Sequence, residues 1–536
     1  MQTVENTDIM GKKVADQLVE TICRAGIRRI YAVTGDSLNE VNDAVRRAGT
    51  VRWVHMRHEE SGAFAAAAEA ELNGIACCAG SSGPGHVHLI NGLYDAHRSN
   101  CSVLAIASTC PSDQFGTGYF QETDPIRLFD DCSGYNQMAV TPAQFARMLP
   151  AALQHAVHKC EVAVVGLPGD VAASPCAESP GASGPLPSHG IYRPLDGELR
   201  QLAEMIGSAG RITVFCGIGA REAHDEVVRL AAMLKAPVAY TFKAKMEVQY
   251  DNPYEIGMTG LLGLPSAYGA MHESDLLLLL GTDFPYDCFL PSECRIAQVD
   301  IRPERIGRRA RVELGLAGDV KDTLQALLPM LRERSDRTFL DRQLKIYRAL
   351  CDDMAAVASK RGSTGNIAPE YVATLIDSLA SDSAIFTVDM GMCCVWGARY
   401  LRATGRRRML GSFNHGSMAN ALPMAIGAAF ARPGQEVVAL CGDGGLSMLL
   451  GDLATIVEYK LPVKIVVFDN RSLGMVKLEM EVAGLPDWQT DMCNPDFEAI
   501  ARAMGIRGFT ADAPDSVEAV LTEAFDTPGP VLVNVR

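Results

Sequence analysis

Much is missing from this sequence of 536 residues. No apolar run approaches the roughly 18 residues of a membrane-spanning helix. The opening MQTVENTDIM is polar and acidic, without the positive end and apolar core of a secretory signal. Sixteen cysteines include no CxxC pair, which reads as reduced, mostly buried thiols rather than a disulfide framework or zinc site. The doublets Cys77-Cys78 and Cys393-Cys394 read as core or turn residues. Positive charge is in deficit, 49 Lys and Arg against 64 Asp and Glu. That balance argues against nucleic acid and against unaided attraction to anionic membranes. Neither GxSxG nor a complete GxGxxG occurs, so a plain α/β hydrolase and a nicotinamide dehydrogenase are disfavoured. Low-complexity tracts and short-period repeats are absent too. What remains is a globular, cytoplasmic enzyme.

What is present is organised around Glu436 to Glu479. An apolar run from Val437 to Cys441 stops at Gly442-Asp443-Gly444-Gly445, and helix-compatible sequence follows from Leu446 to Lys460. A second apolar run, Val463 to Phe468, ends at Asp469-Asn470. This reads as a βαβ unit with parallel strands. Asp443 and Asn470 then fall at carboxyl ends of strands, where open α/β sheets bind ligands. The glycines let backbone approach a phosphate, the helix start offers free N–H groups, and Asp with Asn supplies hard oxygen donors suited to Mg²⁺. Alone, residues 442–445 read more readily as a connecting turn; the Asn at the next strand end shifts the balance.

With 48% apolar and 21% charged residues, the chain has the length of roughly three domains. Residues 11–182 alternate helix and strand: a helix at Lys12–Ala25, strands at Arg29–Val33 and Val51–His55, and an alanine-rich helix at Ser61–Leu72. A strand then ends in the glycine-rich turn Gly80–Gly85, and further strands follow at Ser102–Ala107 and Val162–Val165. Glu59 sits at a strand-to-helix junction, either as a functional side chain or as a carboxylate favouring the helix dipole; Glu60 suits the second role. The Pro, Ser, Gly and Ala content of 171–194 marks a linker. A second α/β domain over 190–340 has strands at Ile212–Cys216, Ala236–Tyr240, Leu276–Leu280 and Arg295–Ile301. Its Cys216-Gly217-Ile218-Gly219-Ala220 is weak evidence for a nucleotide site. Arginines 302, 305, 308, 309 and 311 read as a solvated face rather than an anion site. A charged helix and Gly362–Asn366 form a second linker. The third domain, 365–536, holds the strand Ile385–Asp389, the βαβ unit and a last strand Val531–Val535. The expected fold class is α/β, three doubly wound domains with mainly parallel sheets. The first and third share this alternation without a visible sequence match.

On these residues the chain resembles the thiamine diphosphate (ThDP)- and FAD-dependent pyruvate oxidases and quinone-reducing pyruvate dehydrogenases, within the wider acetolactate-synthase-like enzymes. The stretches that carry the resemblance are VTGDSLN (33–39), RHEE (57–60), HLINGLYDAHR (88–98), GYFQET (118–123), YDNPY (250–254), IGMTGLLG (256–263), GSFNHGSMANALP (411–423) and the GDGG…DN unit. It implies pyrimidine-, FAD- and diphosphate-binding domains, assembled as a homotetramer, a dimer of dimers. Glu59 would meet the aminopyrimidine ring of ThDP, with Asp443, Asn470 and the carbonyl of Ser472 holding Mg²⁺ from the other chain of a dimer. Met418 would prop ThDP into its bent shape, and Gly391, Met392, Gly444 and Gly445 would meet the same cofactor. FAD would lie along Gly217, Gly219, Thr241, Lys243, Thr259, Gly260, Gly281, Thr282, Asp300 and Asp319. Phe120, Gln121 and Glu479 would line the substrate pocket.

The implied reaction is oxidative decarboxylation of pyruvate or a close 2-keto acid through a ThDP enamine. Electrons would pass to FAD and then to quinone or another acceptor, giving acetate and CO₂. The alternative is carboligation of the acetolactate-synthase type with structural FAD; a silent cofactor-binding paralogue is disfavoured by intact Glu59, Asp443 and Asn470. Three departures bear on this. Asp469 stands where the family often has a second Asn, and Met475 where relatives commonly have an aromatic. The sequence ends at Arg536, where quinone-linked relatives continue into a segment that binds membrane as an amphipathic helix. Either the electrons go elsewhere or the sequence is part of a longer chain.

Overall fold

The structure is a computed structural model that describes residues 11–178, 190–363 and 366–536. The opening ten residues, 179–189 of the first linker, and Thr364 with Gly365 of the second lie outside the described residues. Short aliphatic, β-branched runs, too short for helices, form the strands. The N-terminal sheet contains β1 (Arg29–Ala32), β2 (Arg52–His55), β3 (Ala76–Gly80), β4 (Val103–Thr109), β5 (Tyr135–Met138) and β6 (Val162–Pro168). The middle sheet contains β7 (Ile212–Cys216), β8 (Val238–Tyr240), β9 (Glu255–Met258), β10 (Leu276–Leu280), β11 (Arg295–Asp300) and β12 (Leu314–Ala317). A two-residue hairpin, β13 (Gly362–Ser363) with β14 (Asn366–Ile367), stands at the second linker. The third sheet contains β15 (Ile385–Val388), β16 (Arg408–Leu410), β17 (Val437–Gly442), β18 (Val463–Phe468), β19 (Arg507–Ala511) and β20 (Val531–Val535).

Each large sheet is six-stranded and parallel throughout, so the expected α/β class holds in all three domains. The N-terminal order is β2-β1-β3-β4-β6-β5 and the third is β16-β15-β17-β18-β20-β19, the same topology twice. The middle order, β12-β11-β10-β7-β8-β9, is that of dinucleotide-binding folds. Helices cover both faces, which is why central strands such as β4, β10 and β18 are buried along their whole length. Beyond the sequence expectation lie β5, β9, β12, β16 and β19, all short or at sheet edges. None of the sixteen cysteines is in a disulfide, and both doublets are buried core residues. Among the described residues no helix is long and apolar enough to cross a membrane.

Two alanine-rich helices join the N-terminal domain to the third. Glu59–Asn73 lies against Ala421–Ala431, small residue on small residue, so the backbones nearly touch. A Cβ added at Gly427 would sit 2.1 Å from the carbonyl oxygen of Ala65. Tyr459 and Asp452 reinforce the junction by accepting the backbone N–H groups of His55 (2.7 Å) and Arg57 (2.9 Å). Gly427→Ala is therefore expected to destabilise the protein by about 1–3 kcal/mol, read as a lowered urea midpoint. An unchanged midpoint would show that the two helices are not in close contact.

Candidate active site

The βαβ unit departs from its expected form at the helix. Sequence predicts one helix over Leu446–Lys460; the structure instead has Asp443–Met448, a 3₁₀ turn at Leu450–Asp452, and Leu453–Tyr459. Leu449 leaves helical backbone (φ −122°, ψ 32°), and the Asp452 carboxylate accepts from Thr455 Oγ1 (2.8 Å) as well as from Arg57 N–H. A bond to the neighbouring domain thus accompanies the break.

Asp443 occupies the first helical position after β17 and is buried. Its Oδ1 accepts from Gly444 N–H (2.9 Å) and its Oδ2 from Arg471 N–H (2.7 Å). Burial raises the carboxyl above its ordinary range, against the hydrogen bonds it receives. Asn470 follows β18, and its Oδ1 accepts from Ser472 N–H (3.1 Å). Bare backbone at Gly445 is required: a Cβ there would lie 1.8 Å from Asp389 Oδ2, and one at Gly444 would lie 3.1 Å from Met418 Cε. Asp389 itself, at the end of β15, accepts at Oδ1 from Asn420 N–H (3.0 Å) and Nδ2 (3.1 Å), tying the Met418 loop to the sheet. Burial pushes its carboxyl up to about 7.

Asp443, the glycines after it and Asn470 line one cavity of about 2020 Å³ that runs from the third domain into the middle one. Gly391, Met392, Met418, Asp443, Gly444, Gly445, Asn470, Ser472 and Glu479 lie along its third-domain wall. Gly217, Gly219, Thr241, Lys243, Thr259, Gly260, Gly281, Thr282, Asp300 and Asp319 lie along its middle wall. The latter group gathers where β7 and β10 adjoin and the strand order reverses. There Gly217 N–H donates to Leu280 O (2.9 Å) and Gly219 N–H to Gly281 O (3.0 Å). Asp319 is also the N-cap of the helix Val320–Leu327, accepting from Asp322 N–H (3.0 Å). The arginines are not simply a solvated face. Arg302 and Arg305 are half-buried, line the cavity, and reach Glu161 (3.4 Å) and Asn100 (2.7 Å) of the N-terminal domain. Arg308 and Arg309 pair with Asp283, because the turn after β11 folds back over the strand ends.

Glu59, Phe120 and Gln121 lie off this cavity wall, in the N-terminal domain. Glu59 opens its helix two residues before the expected start and is 7% exposed. His88 Nδ1 donates to Glu59 Oε2 (2.9 Å), and the His58 ring stacks on His88 at 4.3 Å. Glu60, in the first turn as expected, accepts from Asn91 Nδ2 (2.7 Å). The glycine-rich turn joins the 118–122 loop: Ser82 Oγ donates to Gln121 O (2.6 Å), and a Cβ on Gly83 would lie 3.0 Å from that oxygen. The Glu122 carboxylate accepts from the N–H groups of Gly116, Gly118 and Tyr119, presenting Phe120 outward at 75% exposure.

Three domain models match, one within each of the three domains. They are the N-terminal TPP binding domain (residues 12–128), the central domain (199–327) and the C-terminal TPP binding domain (389–535) of thiamine pyrophosphate enzymes. A putative thiamine pyrophosphate-containing protein of Bacillus subtilis, YdaP, is 34% identical over 98% of this chain and 92% of its own. The chain belongs to the thiamine pyrophosphate enzyme family. Thiamine pyrophosphate and thiamine diphosphate are one compound. A pyruvate oxidase of Lactiplantibacillus plantarum is 29% identical over 98% of this chain and 87% of its own. An acetolactate synthase of Mycobacterium bovis is 29% identical over 95% and 85%.

Sequence reasoning missed His58, His88, Asp389 and Asn420 in this thiamine pyrophosphate enzyme. His58 and His88 stand in the quoted RHEE and HLINGLYDAHR stretches, but only the fold brings His88 onto Glu59 and the His58 ring onto His88. The neighbouring His86 is fully buried, with Nε2 donating to Ser108 O (2.9 Å) and Nδ1 facing Thr123 Oγ1 (2.7 Å). Burial lowers its imidazole from 6.5 to about 4. An unfolded chain therefore takes up this proton before the folded one. The neutral ring's contribution is complete above pH 6.5 and is lost as pH falls toward 4, at up to about 1.4 kcal/mol per pH unit. Urea midpoints across that window should fall less steeply in His86→Gln than in the wild type; parallel curves would refute the assignment.

Proposed function

We propose that the protein oxidatively decarboxylates pyruvate or a close 2-keto acid, with ThDP, Mg²⁺ and FAD as cofactors and acetate and CO₂ as products. Family membership supplies the coarser reading, a ThDP-dependent decarboxylase or carboligase. The finer one draws its support from the shared cavity, which joins the Asp443–Asn470 wall to a dinucleotide-type switch point and so leaves room for FAD beside ThDP, a feature that the carboligase reading shares. The residues fit the groups. Asp443 and Asn470 offer hard oxygens at neighbouring strand ends for Mg²⁺. Gly444 and Gly445 keep side chains away from a diphosphate. On the middle wall, Thr259 Oγ1 is buried without a hydrogen-bond partner, as a group reserved for a ligand would be.

When bound, ThDP would supply the carbanion equivalent that side chains cannot, and FAD an acceptor for two electrons. The chain's part is placement and proton handling. Glu59, held at Oε2 by His88, keeps Oε1 free to share a proton with the aminopyrimidine ring nitrogen. Asp443, Asn470 and the carbonyl of Ser472 would hold the diphosphate's cation, and Met418 would support the bent cofactor. Phe120, Gln121 and Glu479 would border the keto acid. Because Glu59, Phe120 and Gln121 lie off the cavity that Asp443 lines, a complete site calls for a second copy. A homotetramer of two such dimers follows from the same reading. Quinone or another oxidant would then reoxidise the flavin.

The acetolactate-type alternative has one specific support: the acetolactate synthase relative is as similar as the pyruvate oxidase, each 29% identical. Anaerobic mixing of the cofactor-loaded protein with pyruvate separates the two. Loss of flavin absorbance near about 450 nm with CO₂ release is the expected result. A flavin that stays oxidised while CO₂ is released would favour carboligation. Glu59→Gln should fold normally and exchange the thiazolium C2 proton for deuterium about 10²–10⁴-fold more slowly. Exchange at the wild-type rate would remove Glu59 from its role.

A further inference from the structure

Behind the Asp443–Asn470 wall lies an arrangement that the functional reading does not use. Asn494 Nδ2 donates to Asp443 Oδ2 and to Asp469 Oδ1, at 2.7 Å each. Both amide hydrogens are spent on carboxylates, so the amide cannot turn over: its oxygen would then face two acceptors. With Arg471 N–H also on Oδ2, that oxygen is fixed toward the protein. Oδ1, bonded only by the adjacent Gly444 N–H, keeps acceptor capacity toward the cavity.

Asp469 is the second half of the arrangement. Its side chain is 2% exposed, and its Oδ2 accepts from Asn534 Nδ2 at 3.2 Å. The nearest cation, Arg536, is 3.9 Å away and partly solvated. Two buried carboxylates are thus held one amide apart, with little positive charge between them. Like charges so placed are costly unless a cation joins them. We infer that Asn494 and Asp469 form the outer shell of a divalent-cation site. Asn494 locks Asp443 so that one oxygen faces the ion, and Asp469 adds a second buried negative charge that tightens binding. This rests on the reading of Asp443 and Asn470 as ligands, and it assigns no new ligand. Outer-shell partners of this kind orient the ligands and tune the ion.

The test measures Mn²⁺ binding to the full chain saturated with ThDP, following free Mn²⁺ by electron paramagnetic resonance, without substrate or turnover. Asp443→Ala should abolish binding. Asp469→Asn, which keeps shape and an acceptor but removes the charge, should weaken it about 10–100-fold, as should Asn494→Ala. Urea midpoints are recorded in parallel. A purely structural role would move the midpoint and leave the affinity of the folded protein unchanged. If Asn494→Ala does not fold, Asn494→Ser is read in its place. Absence of Mn²⁺ binding by the wild type, or wild-type binding by Asp443→Ala, overturns the ligand reading itself. If Asp443→Ala fails to bind while Asp469→Asn and Asn494→Ala stay within twofold of wild type, the outer shell alone is overturned. Weakening in one of the two variants only overturns their paired action.

Discussion

The contact of Glu59–Asn73 with Ala421–Ala431 sets the position of both halves of the candidate site. Only small residues let two helix backbones come this near, and a near contact between helices has few alternative settings. Glu59 is the first residue of one helix. Asn420, which Asp389 holds, immediately precedes the other. The two helices therefore carry Glu59 with its histidines at one end and the Met418 loop at another, without either loop needing to be rigid by itself.

Beyond that junction the site is distributed according to topology. The N-terminal and third sheets share one strand order, yet their strand ends carry different groups: His88 and Glu59 face each other in one, while Asp443 and Asn470 neighbour each other in the second. A single scaffold used twice thus carries a carboxylate with its imidazole partner in one domain and an Asp–Asn pair in the other. The middle sheet has the other order, and its reversal point sets the bare backbone of Gly217, Gly219 and Gly281 beside Asp300 and Asp319. Family membership accounts for the three-sheet plan. The residues around each strand end account for what each domain contributes.

Much of this was legible in the sequence because it is local. Central parallel strands are continuous apolar runs, so β10 (LLLLL) and β18 (VKIVVF) announce themselves. GDGG and DN mark strand ends by chemistry as well as by pattern. Edge strands are harder: β5 reads YNQM and β19 reads RGFTA, each half-exposed and without a clean period. Partners set by tertiary structure leave no local signal. His88 lies 29 residues from Glu59, and Asn494 lies 51 from Asp443. The break at Leu449 was hidden for the same reason, since Asp452 answers to a backbone N–H in another domain.

The middle domain is attached to the N-terminal one differently. Arg302 reaches Glu161, Arg305 reaches Asn100, and Arg221 meets Glu71 at 2.8 Å, all through long charged side chains. Dissolved ions compete for such links and screen them within about 10 Å at 0.1 M salt, whereas helix backbones in contact feel no such competition. The molecule accordingly has one seam that rests on charged side chains and one that rests mainly on helix packing. The middle-domain end of the cavity borders the first.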